Sequence, residues 1–463
     1  MSAINVGSVM ANNRSAFYMW FPESFRQWSD VFTASDGRFC VAYSGGLDSR
    51  VLLCVMREWV VQHPEQQLRA VHVHHGLHAR ADDWEQHCLD VCQAEHIALT
   101  VRHLNLTISP GDSVEAVARS ARYRALSDAL QPGEYLLTAH TQEDQMETLL
   151  LQLLRGAGVK GLAAMPMQKT FSQGTLLRPF LNTPRARLHQ YAQQQQLQWV
   201  EDDSNSLLRF DRNFLRHRIV PEVKERWPDV ARVVSRSARH CAEAAELLAQ
   251  VAEEDCRIVR GKTEHTLRII PLLSLSPLRQ RNVIRYWIAA QRYRMPTEKQ
   301  LKHIFEDVIS SSRDATPCLT LRSMELRRFR DELFLLPTIG SHDAEQMITW
   351  DWHQPLTLPS HLGQLTARRV CGRGVLLSQA NPLSVRFRGE GARCRPVGRQ
   401  HSQSLKKLFQ EWKVPPWQRD RIPLIYQGEA LIAVMGHCIH ADYAVKSDAW
   451  GVELLWTPMS YAT

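Results

Sequence analysis

Ser44-Gly-Gly-Leu-Asp-Ser49 constrains this 463-residue chain more than any other stretch. A short apolar run, Phe39 to Tyr43, precedes it, and an aliphatic stretch with Val51, Leu52, Leu53, Val55, Met56 and Val60 follows. The expected local structure is a buried strand, a small-residue turn and a helix. Small residues let the backbone approach a ligand closely. The N–H groups of the turn and helix start would point at that ligand, and such a nest favours anions, phosphate above all. No Gly-Lys-Ser/Thr follows, which excludes a Walker A loop.

The chain around this turn alternates strand and helix. Strands are expected at Phe39–Tyr43, Leu68–Val73, Leu99–His103, Tyr135–Ala139 and Leu197–Val200, with helices around Ser49–Gln62, Asp83–Glu95, Ser113–Leu130 and Glu143–Leu154. That order predicts an α/β domain with a parallel sheet covered on both faces, its ligands at the carboxyl ends of the strands. A basic helical stretch runs from Asp211 to about Glu254, interrupted by Pro221 and Pro228, with an apolar stripe of Val230, Val233, Val234, Leu247, Leu248 and Val251. Helical pattern returns at Ser276–Gln291 and Thr297–Ile309. Short strands are expected at Leu356–Pro359 and Val375–Ser378. After Val385–Phe387 come one helix, Ser404–Trp412, and a hairpin of Leu424–Tyr426 and Ala430–Met435. The expected division is a tail at 1–20, a nucleotide-binding domain at 21–222, a mainly helical domain at 223–340 and a small α+β domain at 341–463.

Four polar clusters fall where the strands should end. His72-Val-His-His-Gly-Leu-His78 holds four histidines, but alternation breaks at His75 and no Cys or carboxylate is adjacent. It reads as a ligand-lining strand end rather than a metal site. Asp112-Ser-Val-Glu115 has the form of a capping box, and Glu115, Arg119 and Arg122 then share one helical face. Two arginines there suit phosphates or a nucleic-acid backbone. His140, Asp144 and Glu147 recur at i, i+4, i+7 and suit a cationic substrate. Arg212, Arg216 and Arg218 follow Glu201-Asp-Asp-Ser-Asn205 and join the sheet to the basic helix.

Charge placement points to a polyanion. Net charge is +8, yet Asn381–Arg421 holds ten Lys/Arg against three Asp/Glu, and Asn205–His240 holds nine against four. The remainder is slightly acidic. Two basic blocks on a balanced chain suit nucleic acid. In the second block Arg393, Arg395, Arg399, Lys406 and Lys407 interleave with Phe409, Trp412 and Trp417, and Phe409 and Trp412 read as core. No apolar run reaches membrane-span length, and Met1–Trp20 lacks the layout of a signal peptide. Ten scattered cysteines without a Cys-x-x-Cys predict neither zinc site nor disulfide framework, and Cys88 and Cys92 have a helical packing spacing. A reducing cytoplasm is the expected compartment.

Ser-Gly-Gly-x-Asp-Ser resembles the pyrophosphate loop of the ATP pyrophosphatases, which cleave ATP to AMP and pyrophosphate. Further motifs narrow the resemblance: His72-Val-His-His-Gly-Leu77, Glu115-Ala-x-Ala-Arg119-x-x-Arg-Tyr123, Thr138-Ala-His140 through Glu147-Thr, Arg155-Gly-x-Gly-x-x-Gly-Leu162, Arg178-Pro-Phe-Leu181, Glu201-Asp-x-Ser-Asn205, Asp211-Arg-Asn-Phe-Leu-Arg216, Ser404-Leu-Lys-Lys-Leu-Phe and Val414-Pro-Pro-Trp-x-Arg-Asp420. Together they resemble the tRNA(Ile)-lysidine synthetase family over almost the whole chain. The resemblance implies a nucleotide-binding domain plus two C-terminal domains. It implies ligation of free L-lysine to the wobble cytidine of an isoleucine tRNA with a CAU anticodon, through an adenylated base, with ATP and Mg²⁺. It also implies residue roles. Ser44, Gly45, Gly46, Leu47, Asp48 and Ser49 would bind ATP, and Asp48 would also hold the metal. Asp144 and Glu147 would hold lysine, and Arg119 and His140 would lie near the reacting base. Arg122, Arg212, Arg216, Arg218, Arg399, Lys406 and Lys407 would contact tRNA. The family usually carries His and Asp where this chain has Thr141 and Glu143, and often Arg in place of His78. Two other readings are weighed: a related tRNA thiolase, disfavoured by the missing Cys-x-x-Cys, and a non-catalytic RNA-binding protein, disfavoured by Asp48 and the Asp144/Glu147 pair.

Overall fold

The computed structural model describes residues 26–33, 37–76, 78–107, 114–201, 208–378, 382–387, 391–446 and 448–458. The expected tail at 1–20, Leu77, Asp112 and Ser113 of the expected capping box, and Asp202 to Asn205 lie outside the described residues. The chain divides into two compact units, Met1–Leu248 and Ala249–Thr463.

The first unit is built on a six-stranded sheet of order β3-β2-β1-β4-β6-β5. The strands are β1 (Arg38–Ala42), β2 (Gln67–His74), β3 (Ala98–His103), β4 (Tyr135–Leu137), β5 (Gln168–Phe171) and β6 (Gly174–Leu177). All pairings are parallel except the edge hairpin β5–β6. The central strand shows why the apolar run folds this way. Phe39, Val41 and Tyr43 enter one core with Trp28 and Phe32, while Cys40 and Ala42 enter another with Val71, Leu126 and Leu136. A strand buried on both faces must be apolar at successive positions. Helix α1 (Arg26–Thr33) precedes β1; α2 (Leu47–Gln62), α3 (Ala81–Ala94) and α4 (Val114–Ala129) follow β1, β2 and β3, and α5 (Gln142–Leu154) follows β4. Cys88 and Cys92 are buried in α3, as their spacing predicts. A short helix, α6 (Val159–Leu162), precedes the β5–β6 hairpin, and α7 (Arg185–Gln194) follows it.

The expected strand Leu197–Val200 is not a strand. Its apolar residues cover the turn after β1 instead, and β6 takes the place beside β4. The basic stretch starts as α8 (Asp211–Phe214), widens into a π-helical segment at Leu215–Ile219 and continues as α9 (Val220–Arg226). Pro221 does not interrupt it, because it sits at the start of α9, where no N–H is needed. A break at Pro228 separates α9 from α10 (Val230–Val259). The expected stripe of α10 packs only at its start, where Val230 and Val234 meet the cluster of Met146, Val220 and Ala231. Leu247, Leu248 and Val251 are exposed, whereas Ala231, Ala238, Ala252 and Val259 are buried.

The second unit contains more sheet than its sequence pattern suggests. Between helices Pro277–Ala290 and Glu298–His303 and the linker near Gly340 lie strands Cys318–Leu321, Met324–Phe329 and Glu332–Pro337. With Thr266–Arg268 they form an antiparallel four-stranded sheet. Glu325 and Arg328 are buried in it, which hides the strand pattern. Arg328 is accommodated because its guanidinium donates to the carbonyls of Ile309, Ser311 and Arg330. The C-terminal part is β-rich. It combines a five-stranded sheet, a three-stranded sheet paired along Gln364–Cys371 and Trp450–Thr457, and helix Leu405–Glu411. The hairpin Leu424–Gln427 with Ala430–Val434 forms as expected. Val375–Ser378 does not form a strand; Val375 makes single bridges to Ala444 and Val452.

One ion pair ties the sheet together. Glu134, just before β4, takes both Arg69 Nε and Nη2 at 2.6 Å, and Arg69 Nη2 also donates to Ala129 O. The Glu134 side chain is only 3% exposed. Removing one member of such a pair strands the other charge, at a cost of about 3–5 kcal/mol. Glu134→Ala is therefore expected to destabilise the protein by about that amount in urea unfolding, and a loss below about 1 kcal/mol would contradict it.

Candidate active site

The turn after β1 is held closed from three sides. Gly45 has φ +82°, a conformation open to glycine. A Cβ there would meet Val200 Cγ2 at 2.9 Å and Cys88 Sγ at 3.0 Å. The Gly45 carbonyl accepts the Val200 N–H at 3.0 Å. Ser49 Oγ accepts the Ser44 N–H at 3.2 Å and donates to Gly46 O at 2.9 Å. Gly46 then takes the N-cap of α2 without a side-chain cap. The first N–H groups of the helix are left without intrahelical partners.

Ser44, Gly46, Leu47, Asp48 and Ser49 line a cleft of about 1160 Å³. It lies at the carboxyl ends of β1 and β2, beside the point where strand order reverses between β1 and β4. His72, His74, His75 and His78 also line it, together with Trp84, Arg122, Glu143, Arg185, Trp199, Arg216 and Lys224. The histidine-rich strand end thus lines a cavity, as expected. His72 Nδ1 is 3.0 Å from Tyr43 O, and burial pushes its pKa down. His78 stacks on Trp84 with centroids 4.6 Å apart.

Asp48 faces Arg185, whose Nε donates to Oδ1 at 3.2 Å. Burial pushes the Asp48 carboxyl up to about 6, against the opposing pull of Arg185. Glu143 holds the same corner. It accepts the Arg185 backbone N–H at 2.9 Å and pairs with Lys224 Nζ at 2.9 Å.

Asp144 and Glu147 project from the first two turns of α5, where their i, i+3 spacing puts them on one face. Asp144 Oδ2 accepts the Thr141 N–H at 2.8 Å and caps its own helix. Thr141, the departure from the family pattern, therefore serves as the cap residue. Asp144 Oδ1 accepts Nη2 of both Arg212 and Arg216 at 3.0 Å. Glu147 takes Arg212 Nε at 2.8 Å and Arg216 Nε at 2.7 Å, and its side chain is 2% exposed. Two carboxylates and two guanidiniums thus form a closed cluster between α5 and the segment Asp211–Ile219, with Arg212 from α8 and Arg216 from the π-helical turn. Burial opposes ionisation of Asp144, but Arg212, His140 and Arg216 together hold its pKa below the usual range. His140 lies beside the cluster with Nδ1 2.9 Å from Thr138 Oγ1. Burial pushes its pKa down despite Asp144, so the ring is neutral near pH 7.

Arg122 is half-buried and lines the cleft. Arg119 is exposed, does not line the cleft and sits over the Tyr123 ring at 5.3 Å. Arg218 is exposed. In the second unit Lys406 and Lys407 are exposed, whereas Arg399 pairs with Glu411 at 2.7 Å. Phe409 is core, Trp412 packs against that core, and Trp417 packs edge-on to Phe329 and Phe334. Sequence reasoning missed Arg185, Glu143 and Lys224. Their partners lie at least 40 residues away, and no local pattern marks them.

Three family models match the chain: PP-loop domain over residues 22–223, TilS substrate binding domain over 267–334 and TilS substrate C-terminal domain over 383–456. A tRNA(Ile)-lysidine synthase of Coxiella burnetii is 47% identical over 431 residues, 93% of this chain and 95% of that one. This chain belongs to the tRNA(Ile)-lysidine synthase family. A second lysidine synthase, from Edwardsiella ictaluri, is 44% identical over 86% of this chain and 90% of that one. Among solved structures, a U34-tRNA thiolase of Methanococcus maripaludis aligns over 50% of this chain and 80% of that one, at 18% identity and a TM-score of 0.41. The PP-loop domain match at residues 22–223 spans the parallel six-stranded sheet described above.

The Asp48 environment carries a stability cost. Its folded pKa, about 6, lies above the ordinary 3.8, so the folded state holds the proton more tightly than the unfolded chain does. Stability from this group is present at low pH and is lost as pH rises from about 4 through 6. Asp48→Asn is expected to stabilise the protein by about 1–3 kcal/mol at pH 7.5 and to flatten that pH dependence, read by thermal unfolding across pH. An unchanged profile would contradict it.

Proposed function

We propose that this protein ligates free L-lysine to C2 of the wobble cytidine in an isoleucine tRNA with a CAU anticodon, releasing AMP and pyrophosphate. The single observation that carries this reading is the placement of the α5 acidic pair one element away from a pyrophosphate-type loop. Asp144 is close enough to Asp48 to affect its ionisation. The chain organisation that goes with this reading is a nucleotide-binding domain at 21–222, a tRNA-recognition domain at 223–340 and a tRNA-binding domain at 341–463.

The chemistry has two steps. Cytosine O2 is a poor leaving group, so it first attacks the α-phosphorus of ATP and pyrophosphate departs. The ε-ammonium of lysine first loses a proton to solvent, the neutral amine attacks C2, AMP leaves with O2 and the C2–O2 electron pair, and the nitrogen now bonded to C2 gives its extra proton to solvent. The N–H groups of Gly46–Ser49 and the start of α2 hold the departing phosphates. A divalent cation fits beside Asp48, because its carboxylate is half-desolvated and already drawn to a cationic partner. Asp48 would hold Mg²⁺ there, and the ion when bound would offset charge on the polyphosphate. Asp48 supplies a carboxylate ligand, and Arg185 moves from that carboxylate towards phosphate. Arg122 and Arg216 face the same cleft and suit the nucleotide or the RNA backbone. His140, neutral at physiological pH, acts as a hydrogen-bonding partner near the reacting base.

Lysine must compete for carboxylates that already carry two guanidiniums. On entry, an ammonium replaces a guanidinium, and the displaced Arg212 or Arg216 becomes available to tRNA phosphate. Arg218, Lys406 and Lys407 are assigned to the RNA backbone on charge and exposure, and Arg399 on charge alone, since it is paired with Glu411. Among the described residues no helix is long and apolar enough to cross a membrane, and the reading places the reaction in the cytoplasm with tRNA.

The test incubates the protein with ATP, labelled lysine and a CAU-anticodon isoleucine tRNA transcript. Lysine incorporation with AMP release is expected; thiolation, or tRNA binding without incorporation, would overturn the assignment. Glu147→Gln keeps the volume but removes a charge-assisted contact worth about 1.5–3 kcal/mol. It is expected to retain AMP-forming adenylation and to raise the lysine KM about ten- to a hundredfold. An unchanged lysine KM would remove the acidic pair from the lysine site.

A further inference from the structure

A cluster outside the nucleotide chemistry has the composition of a transition-metal site. His74 ends β2 and His103 ends β3, and the two are register partners in the parallel pair. Register partners point to the same face of a sheet, and the two rings lie 4.8 Å apart. Glu85 reaches the same point from the second turn of α3, with Oε2 3.5 Å from His103 Nε2. That oxygen is cut off from solvent and makes no hydrogen bond. One ligating atom from each of the three residues falls within 4.8 Å of the other two. Asp82, in the first turn of α3, brings a fourth donor, with Oδ1 3.0 Å from His74 Nε2.

We propose that His74, His103 and Glu85, completed by Asp82, bind one Zn²⁺ ion, separate from the magnesium site at Asp48. Two imidazoles with carboxylate suit a borderline ion such as Zn²⁺ better than the all-oxygen shell that Mg²⁺ prefers. A tetrahedral zinc shell brings ligand atoms to roughly 3.3 Å apart, from bond lengths near 2.0–2.2 Å. The required closure is small, and the side chains that must turn are exposed ones: His103 is 62% exposed and Asp82 94%. The four residues come from three consecutive elements, the strands and helix of one β–α–β unit. The ion therefore ties the carboxyl ends of two strands to the start of α3. His74 also lines the nucleotide cleft, so this tie stiffens the cleft rim. The inference does not depend on lysine or tRNA.

The test uses the full-length protein stripped with chelator and titrated with Zn²⁺ against a competing chromophoric chelator. Wild type is expected to take up one tight equivalent that excess Mg²⁺ does not displace, and to melt at a higher temperature with it. His103→Ala and Glu85→Gln change accessible or half-buried side chains, and unchanged melting without metal verifies their fold. Each is expected to weaken the tight equivalent at least tenfold and to remove the melting shift. Co²⁺ in place of Zn²⁺ should give the visible band of a four-coordinate site in wild type only. Zinc uptake equal in wild type and both variants would overturn the proposal, as would the absence of a tight equivalent.

Discussion

Gly45 sits at φ +82° between Val200 and Cys88, and its carbonyl accepts the Val200 N–H. That contact joins three parts of the first unit: the turn after β1, helix α3 and the segment before Glu201. The turn cannot relax outward while Val200 is bonded, and it cannot carry a side chain while Cys88 is packed behind it. Ser49 closes the remaining side by bonding back to Ser44 and Gly46. The turn proposed to hold phosphate is therefore fixed by the protein's own contacts. Its shape rests on the Val200 and Cys88 contacts together with the Ser49 hydrogen bonds inside the turn, so little ordering cost is left for binding.

The cluster of Asp144, Glu147, Arg212 and Arg216 has a different character. Its charges cancel within a few ångströms, and Glu147 is nearly excluded from water. Buried pairs of this kind add little net stability but penalise the loss of any single member. Such a cluster therefore acts as a register device. It fixes α5 against the segment Asp211–Ile219, whose π-helical turn carries Arg216. π-Helical turns recur at functional sites because they aim a side chain that a regular helix would turn away. The unmet demand of a bound amine for carboxylate can be satisfied here only by exchange.

Legibility followed burial and sequence distance. β1 and β4 read clearly because parallel strands covered on both faces are continuous apolar runs. Leu197–Val200 has the same composition and misled, because its apolar residues cover a loop rather than join a sheet. β6 was missed because Gly174-Thr-Leu-Leu is only four residues long, flanked by a turn and Arg178. In the second unit, Glu325 and Arg328 inside strand Met324–Phe329 broke the alternation that marks a half-buried strand. The apolar positions of α10 were visible, but which ones pack was not, since periodicity locates a stripe and not its partner. The phosphate turn and the acidic pair were legible because each is written within a few residues. The partners Arg212 and Arg216 were visible only as basic residues for RNA. Their engagement with Asp144 and Glu147 spans more than 60 residues. The histidine-rich strand end was read as lacking a carboxylate. Glu85 and His103 reach His74 only through tertiary structure.

Charge pairing in the cleft bears on how a polyanion enters it. Five Lys/Arg and three Asp/Glu line the cavity, a modest positive excess. The cations are mostly engaged already: Arg185 with Asp48, Lys224 with Glu143, and Arg216 with Asp144 and Glu147. An ATP polyphosphate therefore draws guanidinium and ammonium groups off carboxylates rather than meeting bare charge. Each carboxylate released in a half-desolvated site needs a new cation. Asp48, whose carboxyl burial already pushes up to about 6, is the group least able to remain ionised alone. In the proposed reaction a divalent cation arriving with the nucleotide would answer that need at Asp48, and a lysine ammonium would answer it at Asp144 and Glu147. The same electrostatic requirement thus favours nucleotide, metal and amine entering as one set, each restoring the balance that another disturbs.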